Sequence, residues 1–299
     1  MSKRHWETDF TFKYHQKSYP SISPTRPEVS IAGKTVLISG GGRGLGVGIV
    51  EAFAAAGATH IIILGRSIAT LNDVAERLRP AHPSTKITTV SGDISVEADV
   101  GRAFAPAKGA GGVDIVVANA GYLPAPGPIA AAAGNSDSEY TSDWWKAWEV
   151  NVKGLLLLAR QFLASARGPG AVFVNISAMA AHNNPPMARF SAYSGSKIGA
   201  ARVIETMQIE YPDFRFYNVH PGVVASDMLA KSGLESSAQE IPYDEPDLAG
   251  HFVTWLASPE GDFLRGKYLW VNWDVDELKA RKEELSAPKT LVTGLLGWV

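Results

Sequence analysis

Between residues 31 and 273 the chain alternates short apolar runs with stretches of helical periodicity. The apolar runs are Lys34–Ser39 (KTVLIS), His60–Leu64 (HIIIL), Lys86–Val90, Val113–Ala118 (VDIVVA), Ala171–Ile176 (AVFVNI), Arg215–Val219 and Tyr268–Asn272. Helical spacing follows at Leu45–Ala56, Ile68–Leu78, Asp143 to about Ala166, and Ala192–Glu210. Strands this continuously apolar have no wet face, so the pattern predicts a parallel sheet covered by helices on both sides. Right-handed crossovers then make it a doubly wound, seven-stranded sheet. Its ligand crevice lies at the carboxyl ends of the strands.

The flanks read differently. Residues 1–30 form an arm in which Trp6, Phe10, Phe12, Tyr14 and Tyr19 precede Pro20, Pro24 and Pro27. The prolines oppose regular structure and the aromatics oppose disorder, so the arm is expected to pack on the body or on a neighbouring subunit. Residues 274–299 form a tail, charged over Val275–Leu285 and apolar again from Thr290. Pro124–Gly134 (PAPGPIAAAAG) reads as a flexible loop. No fixed-period repeat interrupts this single-domain α/β plan.

Composition narrows the classes. With 28 Lys plus Arg against 30 Asp plus Glu, the net charge of -2 offers no polyanion surface, so no nucleic acid is expected. The chain has no cysteine, which removes disulfides, thiolate metal sites and a cysteine nucleophile. The seven histidines show no metal-ligand spacing, and no Gly-x-Ser-x-Gly elbow occurs. No metal is therefore expected. Apolar stretches such as Gly154–Ala159 are far shorter than the ~20 residues of a spanning helix, and no apolar segment follows the basic start. A cytoplasmic protein without a membrane partner is the expectation.

Candidate chemistry starts with Gly40-Gly41-Gly42-Arg43-Gly44-Leu45-Gly46, directly after the first strand and opening a helix. Glycines there allow close backbone approach of a phosphate to free N–H groups, though a tight turn alone would also use them. Tyr193 and Lys197 stand four apart and share a helix face. A lysine cation on that face favours tyrosinate and should lower the tyrosine pKa from its ordinary value of about 10. Tyr193 would then exchange a proton with a substrate oxygen. Ser177, at a strand end facing the same crevice, would position that oxygen. Taken singly, each residue is more often an ordinary helix or strand-end side chain. His182 as a substrate ligand is less expected than a surface-loop histidine. Trp144, Trp145 and Trp148 read as core or subunit contact.

Together these marks resemble the short-chain dehydrogenase/reductase family, over about residues 31–273. Ser39 followed by Gly-x-x-x-Gly-x-Gly is similar to its Thr-Gly-x-x-x-Gly-x-Gly. Asp93-Ile94, Asn119-Ala120-Gly121, Asn151, Ser177, Tyr193-x-x-x-Lys197 and Pro221-Gly222-Val223-Val224-Ala225-Ser226 follow in the family's order. Serine replaces threonine at Ser39 and Ser226. Ser177 and Tyr193 are sixteen positions apart, slightly beyond the family's common spacing, which implies an enlarged loop around His182–Pro186 that lines the substrate pocket. The arm and tail resemble a fungal subgroup with secondary-metabolism members.

The resemblance implies a Rossmann fold, catalysis by Asn151, Ser177, Tyr193 and Lys197, and a dinucleotide held by Gly40, Arg43, Gly44, Leu45, Gly46, Arg66, Asp93, Ile94, Asn119, Tyr193, Lys197, Val224 and Ser226. It gives Asp93 an adenine contact and Asn151 a water near Lys197. It also implies a homodimer or homotetramer. Cofactor choice has its own signal. The second strand ends Leu64-Gly65-Arg66-Ser67 without the acid that would hold a ribose 2′-hydroxyl, and Arg66 and Arg43 suit a 2′-phosphate. NADP(H) is favoured. The expected activity interconverts a ketone and a secondary alcohol on a hydrophobic small molecule. A non-redox enzyme on the same fold and a dinucleotide-sensing binding protein are the alternatives. The segment from Ser226 to Pro246 is expected to act as a lid, and the apolar tail to cover the pocket or seal a subunit interface.

Overall fold

The structure is a computed structural model that describes residues 10–129, 137–234 and 243–297. Seven strands form one parallel sheet: β1 (Thr35–Ser39), β2 (His60–Gly65), β3 (Lys86–Ser91), β4 (Ile115–Ala118), β5 (Val172–Ile176), β6 (Arg215–His220) and β7 (Tyr268–Trp270). Their spatial order is β3-β2-β1-β4-β5-β6-β7. The order reverses between β1 and β4, where Ser39 stands level with both Leu64 and Ala118. That reversal opens the crevice on which a doubly wound fold receives its ligand.

Among the described residues ten helices follow in chain order: α1 (Leu45–Ala55), α2 (Ile68–Leu78), α3 (Glu97–Lys108), α4 (Asp137–Trp148), α5 (Gly154–Ser165), α6 (Ser191–Glu210), α7 (Asp227–Ser232), α8 (Pro246–Ala257), α9 (Val275–Ala280) and α10 (Lys282–Leu285). Two apolar layers sandwich the sheet. Ile49 and Phe53 of α1 meet Phe252 and Trp255 of α8 on one face; Phe104, Phe162 and Ile204 of α3, α5 and α6 cover Phe173 and Phe216 on the other. Both faces of β1 are therefore buried, as its unbroken apolar run requires.

Three expected boundaries shift. Val113 makes only an isolated bridge with Ala166, so β4 starts at Ile115. β7 ends at Trp270 because the Trp273 N–H turns back to the Trp270 carbonyl. The single long helix divides into α4, a π turn over Glu149–Lys153, and α5. The wide turn carries Asn151, whose amide is bound to the backbone of Tyr122, and single π turns often mark functional positions.

From Phe10 the arm lies along the body. His15 N–H donates to Asn272 O (2.8 Å), and the Tyr19 hydroxyl bridges Trp273 O and Val275 N–H. Arg26 pairs with Glu260 at 2.8 Å. Trp6 lies outside the described residues. The tail docks on the second half of α6, where Thr293 donates through N–H (2.7 Å) and Oγ1 (2.6 Å) to Glu205. That places the tail away from the cavity described below. Leu295 and Leu296 stay exposed. Trp298 and Val299 lie outside the described residues, as do residues 130–134 of the expected flexible loop.

Candidate active site

A cavity of about 900 Å³ runs along the carboxyl ends of the strands. At the switch point, two side chains tie the loops after β1 and β4 together. Ser39 Oγ accepts from the N–H groups of Asn119 and Ala120, both at 3.1 Å. Asn119 Nδ2 donates to Ser39 O (3.0 Å) and Gly40 O (3.1 Å). The glycine loop is pressed so tightly that a Cβ on Gly46 would lie 2.0 Å from Gly40 O. Beyond Gly44, whose φ is +52°, α1 begins, with Gly44, Leu45 and Gly46 lining the cavity. A loop of this shape opening a helix can hold a phosphate.

Arg43, Gly44, Leu45, Arg66, Asp93, Ile94, Asn119, Val224 and Ser226 all line the cavity. Arg66 is exposed and makes no ion pair among the described residues. Arg43 reaches Asp227 of α7 at 3.5 Å. Asp93 Oδ1 accepts from both the N–H and the hydroxyl of Ser95 (2.8 and 2.7 Å), which holds the β3 loop in shape. Ile94 packs on Gly154, where a Cβ would meet it at 2.8 Å. Ser226 caps α7 through Leu229 N–H.

The reactive constellation sits at the β5 side. Lys197 is buried and donates from Nζ to Ile176 O, the last carbonyl of β5, at 2.8 Å. The ammonium lies 5.8 Å from the Tyr193 ring centroid. Ser177 is buried, and its Oγ finds no partner within hydrogen-bond geometry. The Tyr268 hydroxyl lies beside it but gives its proton to Ala178 O at 2.7 Å. Ser177 lines the cavity, where its hydroxyl can meet a ligand oxygen.

One expectation needs correction here. Lys197 was to lower the Tyr193 pKa; instead burial pushes Tyr193 up to about 12 and Lys197 down to about 8. Removing water from both groups outweighs their attraction, because the amine is turned onto a strand carbonyl rather than onto the phenol. Asn151 is anchored by its side chain. Its Oδ1 accepts from Tyr122 N–H (2.8 Å), and its Nδ2 serves Tyr122 O and Ser196 Oγ, both at 2.9 Å. Asn151 here fixes the β4 loop against α6.

The loop between Ser177 and Tyr193 contributes Met187 and Phe190 to the cavity; His182–Pro186 stay out of it. His182 Nε2 accepts from Trp270 Nε1 at 3.0 Å, and its ring stands edge-on to Tyr268. It is an exposed loop histidine turned to the protein. The tryptophans form a cluster on α6, where Trp148 packs over Gly195 and Gly199 and Trp145 remains exposed.

Three residues emerge only from the structure. Tyr122 lies between the ammonium groups of Lys231 (4.6 Å) and Lys146 (5.1 Å), and its hydroxyl bonds to Asp143. Asp244 and Asn272 brace the loop after β6. Tyr122 follows the Asn119-Ala120-Gly121 mark, whereas no motif surrounds Asp244, and only the fold brings Asp244 and Asn272 to the loop after β6. Of the expected lid, residues 235–242 lie outside the described residues. The described part, α7, is tethered across the mouth. Besides Asp227 on Arg43, Met228 Sδ accepts from the Tyr193 hydroxyl (3.7 Å) and Lys231 donates to Leu123 O (2.7 Å).

Comparison with known proteins agrees with this geometry. A family model described as short chain dehydrogenase matches residues 34–236. A "Short chain dehydrogenase/reductase" of Claviceps purpurea is 33% identical over 95% of this chain and 92% of its own length. The "Short chain dehydrogenase citE" of Monascus ruber is 32% identical over 91% of each. Among solved structures, a 3-ketoacyl-(acyl-carrier-protein) reductase from Brucella melitensis complexed with NADH superposes with TM-score 0.70 at 28% identity, covering 81% of this chain and 98% of that one. L-Sorbose reductase from Gluconobacter frateurii, complexed with NADPH and L-sorbose, gives TM-score 0.70 at 22% identity, covering 83% and 98%, and shares the fold. With the glycine loop at the switch point and Tyr193 and Lys197 beside it, the chain belongs to the short-chain dehydrogenase/reductases, oxidoreductases that use nicotinamide dinucleotides.

Proposed function

We propose that the protein is an NADP(H)-dependent ketone reductase acting on a hydrophobic small molecule. The observation that carries this reading is that one cavity of about 900 Å³ is lined both by Arg66 and Arg43 and by Ser177 and Tyr193. The residues fit the cofactor. The Gly40–Gly46 loop is packed too closely to take a Cβ at Gly46 and lines the cavity together with two guanidinium groups that suit an extra charge. When bound, the dinucleotide supplies or accepts the hydride.

Ser177 directs its hydroxyl to the substrate oxygen. Tyr193, kept protonated by its surroundings, donates the proton that oxygen needs as it gains charge. Lys197, held on Ile176 O, places positive charge beneath the tyrosine whenever it is protonated. Leu123, Met187, Phe190, Met228 and Leu234 exclude water around the reacting carbon. This wall fits an apolar ketone, and the fungal relatives fit a role in secondary metabolism. α7 acts as the lid. A site with the same proton machinery but no redox step would leave NADPH unconsumed.

The test is a screen of hydrophobic ketones with purified protein, following absorbance of the reduced nicotinamide. One NADPH consumed per alcohol formed supports the reading; product formed without NADPH oxidation sinks it. The pH dependence follows from the tyrosine. Reduction needs protonated Tyr193 and should hold across neutrality, whereas alcohol oxidation needs the deprotonated form. With the pKa pushed up to about 12, the oxidation rate should keep rising to the most alkaline pH the fold withstands. An oxidation profile that levels off near pH 7 would contradict a protonated resting tyrosine.

We further propose a homo-oligomer in which the tail contributes to an interface, because Leu295 and Leu296 are 78% and 80% exposed. Deleting residues 288–299 should reduce particle mass or cause aggregation in light scattering and leave NADPH affinity unchanged. Unchanged mass would refute the interface.

A further inference from the structure

Asp244 is a buried carboxylate with no cation beside it among the described residues. Burial raises its pKa to about 6, so at neutral pH the fold carries a desolvated charge. Such a charge persists only where hydrogen bonds hold it, and here both oxygens are used. Oδ2 accepts from Val223 N–H at 2.7 Å, and Oδ1 accepts from Asn272 Nδ2 at 2.9 Å. Asp244 N–H returns a bond to Val223 O at 2.9 Å. Gly222 has φ +79°, and a Cβ there would stand 2.3 Å from Asp244 Oδ2. The glycine thus allows the carboxylate to lie flat against the loop.

The chain of contacts continues outward. Asn272 Nδ2 also donates to His15 O (2.9 Å), and His15 N–H donates back to Asn272 O (2.8 Å). Beside it, Glu245 N–H donates to Gln16 O at 2.7 Å. The N-terminal arm, far away in sequence, therefore reaches the Pro221–Ser226 loop through two buried side chains.

Strand order shows which part of the crevice that loop serves. β2 and β3, bearing Arg66 and Asp93, lie on one side of the β1/β4 switch point; β5 and β6, bearing Ser177 and the Pro221–Ser226 loop, lie on the other. A dinucleotide with its 2′-phosphate at Arg66 that crossed the switch point would bring its nicotinamide half to the β5 and β6 side. We propose that Asp244 is a positioning residue for the nicotinamide half of the cofactor, braced by Asn272 and by residues 15–16 of the arm. It sets the Val223 backbone so that Val224 and Ser226 face the bound ring. The inference rests on the dinucleotide reading above.

The experiment compares two ligands by calorimetry on the full chain. NADPH spans both halves, whereas 2′-phospho-ADP-ribose lacks only the nicotinamide. The wild type should bind both; if it binds neither, the cofactor reading has failed and not this one. Asp244→Ala should weaken NADPH by at least about tenfold, the scale of one charge-assisted hydrogen bond, and change the fragment by less than about twofold. Deleting residues 1–16 should produce the same asymmetry at smaller size. It serves as the deciding variant if Asp244→Ala does not fold. Hydrogen exchange at Val223 N–H should quicken in either variant. Equal loss for both ligands, or no loss for NADPH, overturns the proposal.

Discussion

Tyr193→Phe is expected to lower NADPH-dependent ketone reduction by at least about 10²-fold, the low end for loss of a general acid. NADPH affinity should stay near the wild-type value. The substitution keeps the ring that lines the cavity and removes one hydroxyl, whose described contact is a long one to Met228 Sδ at 3.7 Å. A sulfur acceptor is weak, so little stability goes with it. Loss confined to turnover would place the hydroxyl in the transition state, not in cofactor binding. Reduction at wild-type rate in Tyr193→Phe would mean that the proton comes from elsewhere. Lys197→Met should differ in kind. It removes the donor to Ile176 O, which stands next to Ser177, so turnover falls and the end of β5 loosens as well. Stopped-flow measurement of a single turnover, alongside NADPH titration by fluorescence, separates the two variants.

The parts of this site that were legible in the sequence sit either directly after a strand or at one-turn spacing on a helix. Gly40–Gly46 follows β1, Ser177 follows β5, and Tyr193 and Lys197 lie one helical turn apart on α6. Local spacing carries all of them. The sheet was legible for a similar reason, since an unbroken apolar run such as HIIIL admits few placements other than a strand covered on both faces. What spacing could not carry is direction. It put Tyr193 and Lys197 on one face, and it could not show that the amine would turn to Ile176 O while burial governed both groups. Nor could it show that Asn151 would spend its amide on Tyr122 and Ser196, which needs the π turn at Glu149–Lys153. Asp244 was hidden for a third reason. Its partners Val223, Asn272 and the His15 carbonyl's own bridge through Asn272 come from three separated segments, and nothing near Asp244 in sequence predicts them.

The other large effect concerns the choice of dinucleotide. Arg43→Ala combined with Arg66→Ala should weaken NADPH binding by roughly a hundredfold and NADH binding by less than about threefold. Each guanidinium bonded to a phosphate contributes about 1.5–3 kcal/mol, or roughly tenfold or more. A ribose hydroxyl offers no charge for either to meet. Both side chains are available for that role. Arg66 is exposed at the end of β2, in the place where an acid would select the 2′-hydroxyl. Arg43 gives up little, because its pairing with Asp227 joins two exposed groups, and such pairs are worth ~0–1 kcal/mol. That pairing adds a second consequence. Phosphate and Asp227 compete for one guanidinium, so occupying the 2′-phosphate site frees one of the tethers of α7. Asp227→Asn should therefore tighten NADPH slightly and leave NADH unchanged, a change of a few-fold at most. Fluorescence titration of both dinucleotides against the wild type and the two variants reads these effects directly. Equal losses for NADPH and NADH in the double variant, or a wild-type preference for NADH, would contradict the NADP(H) reading.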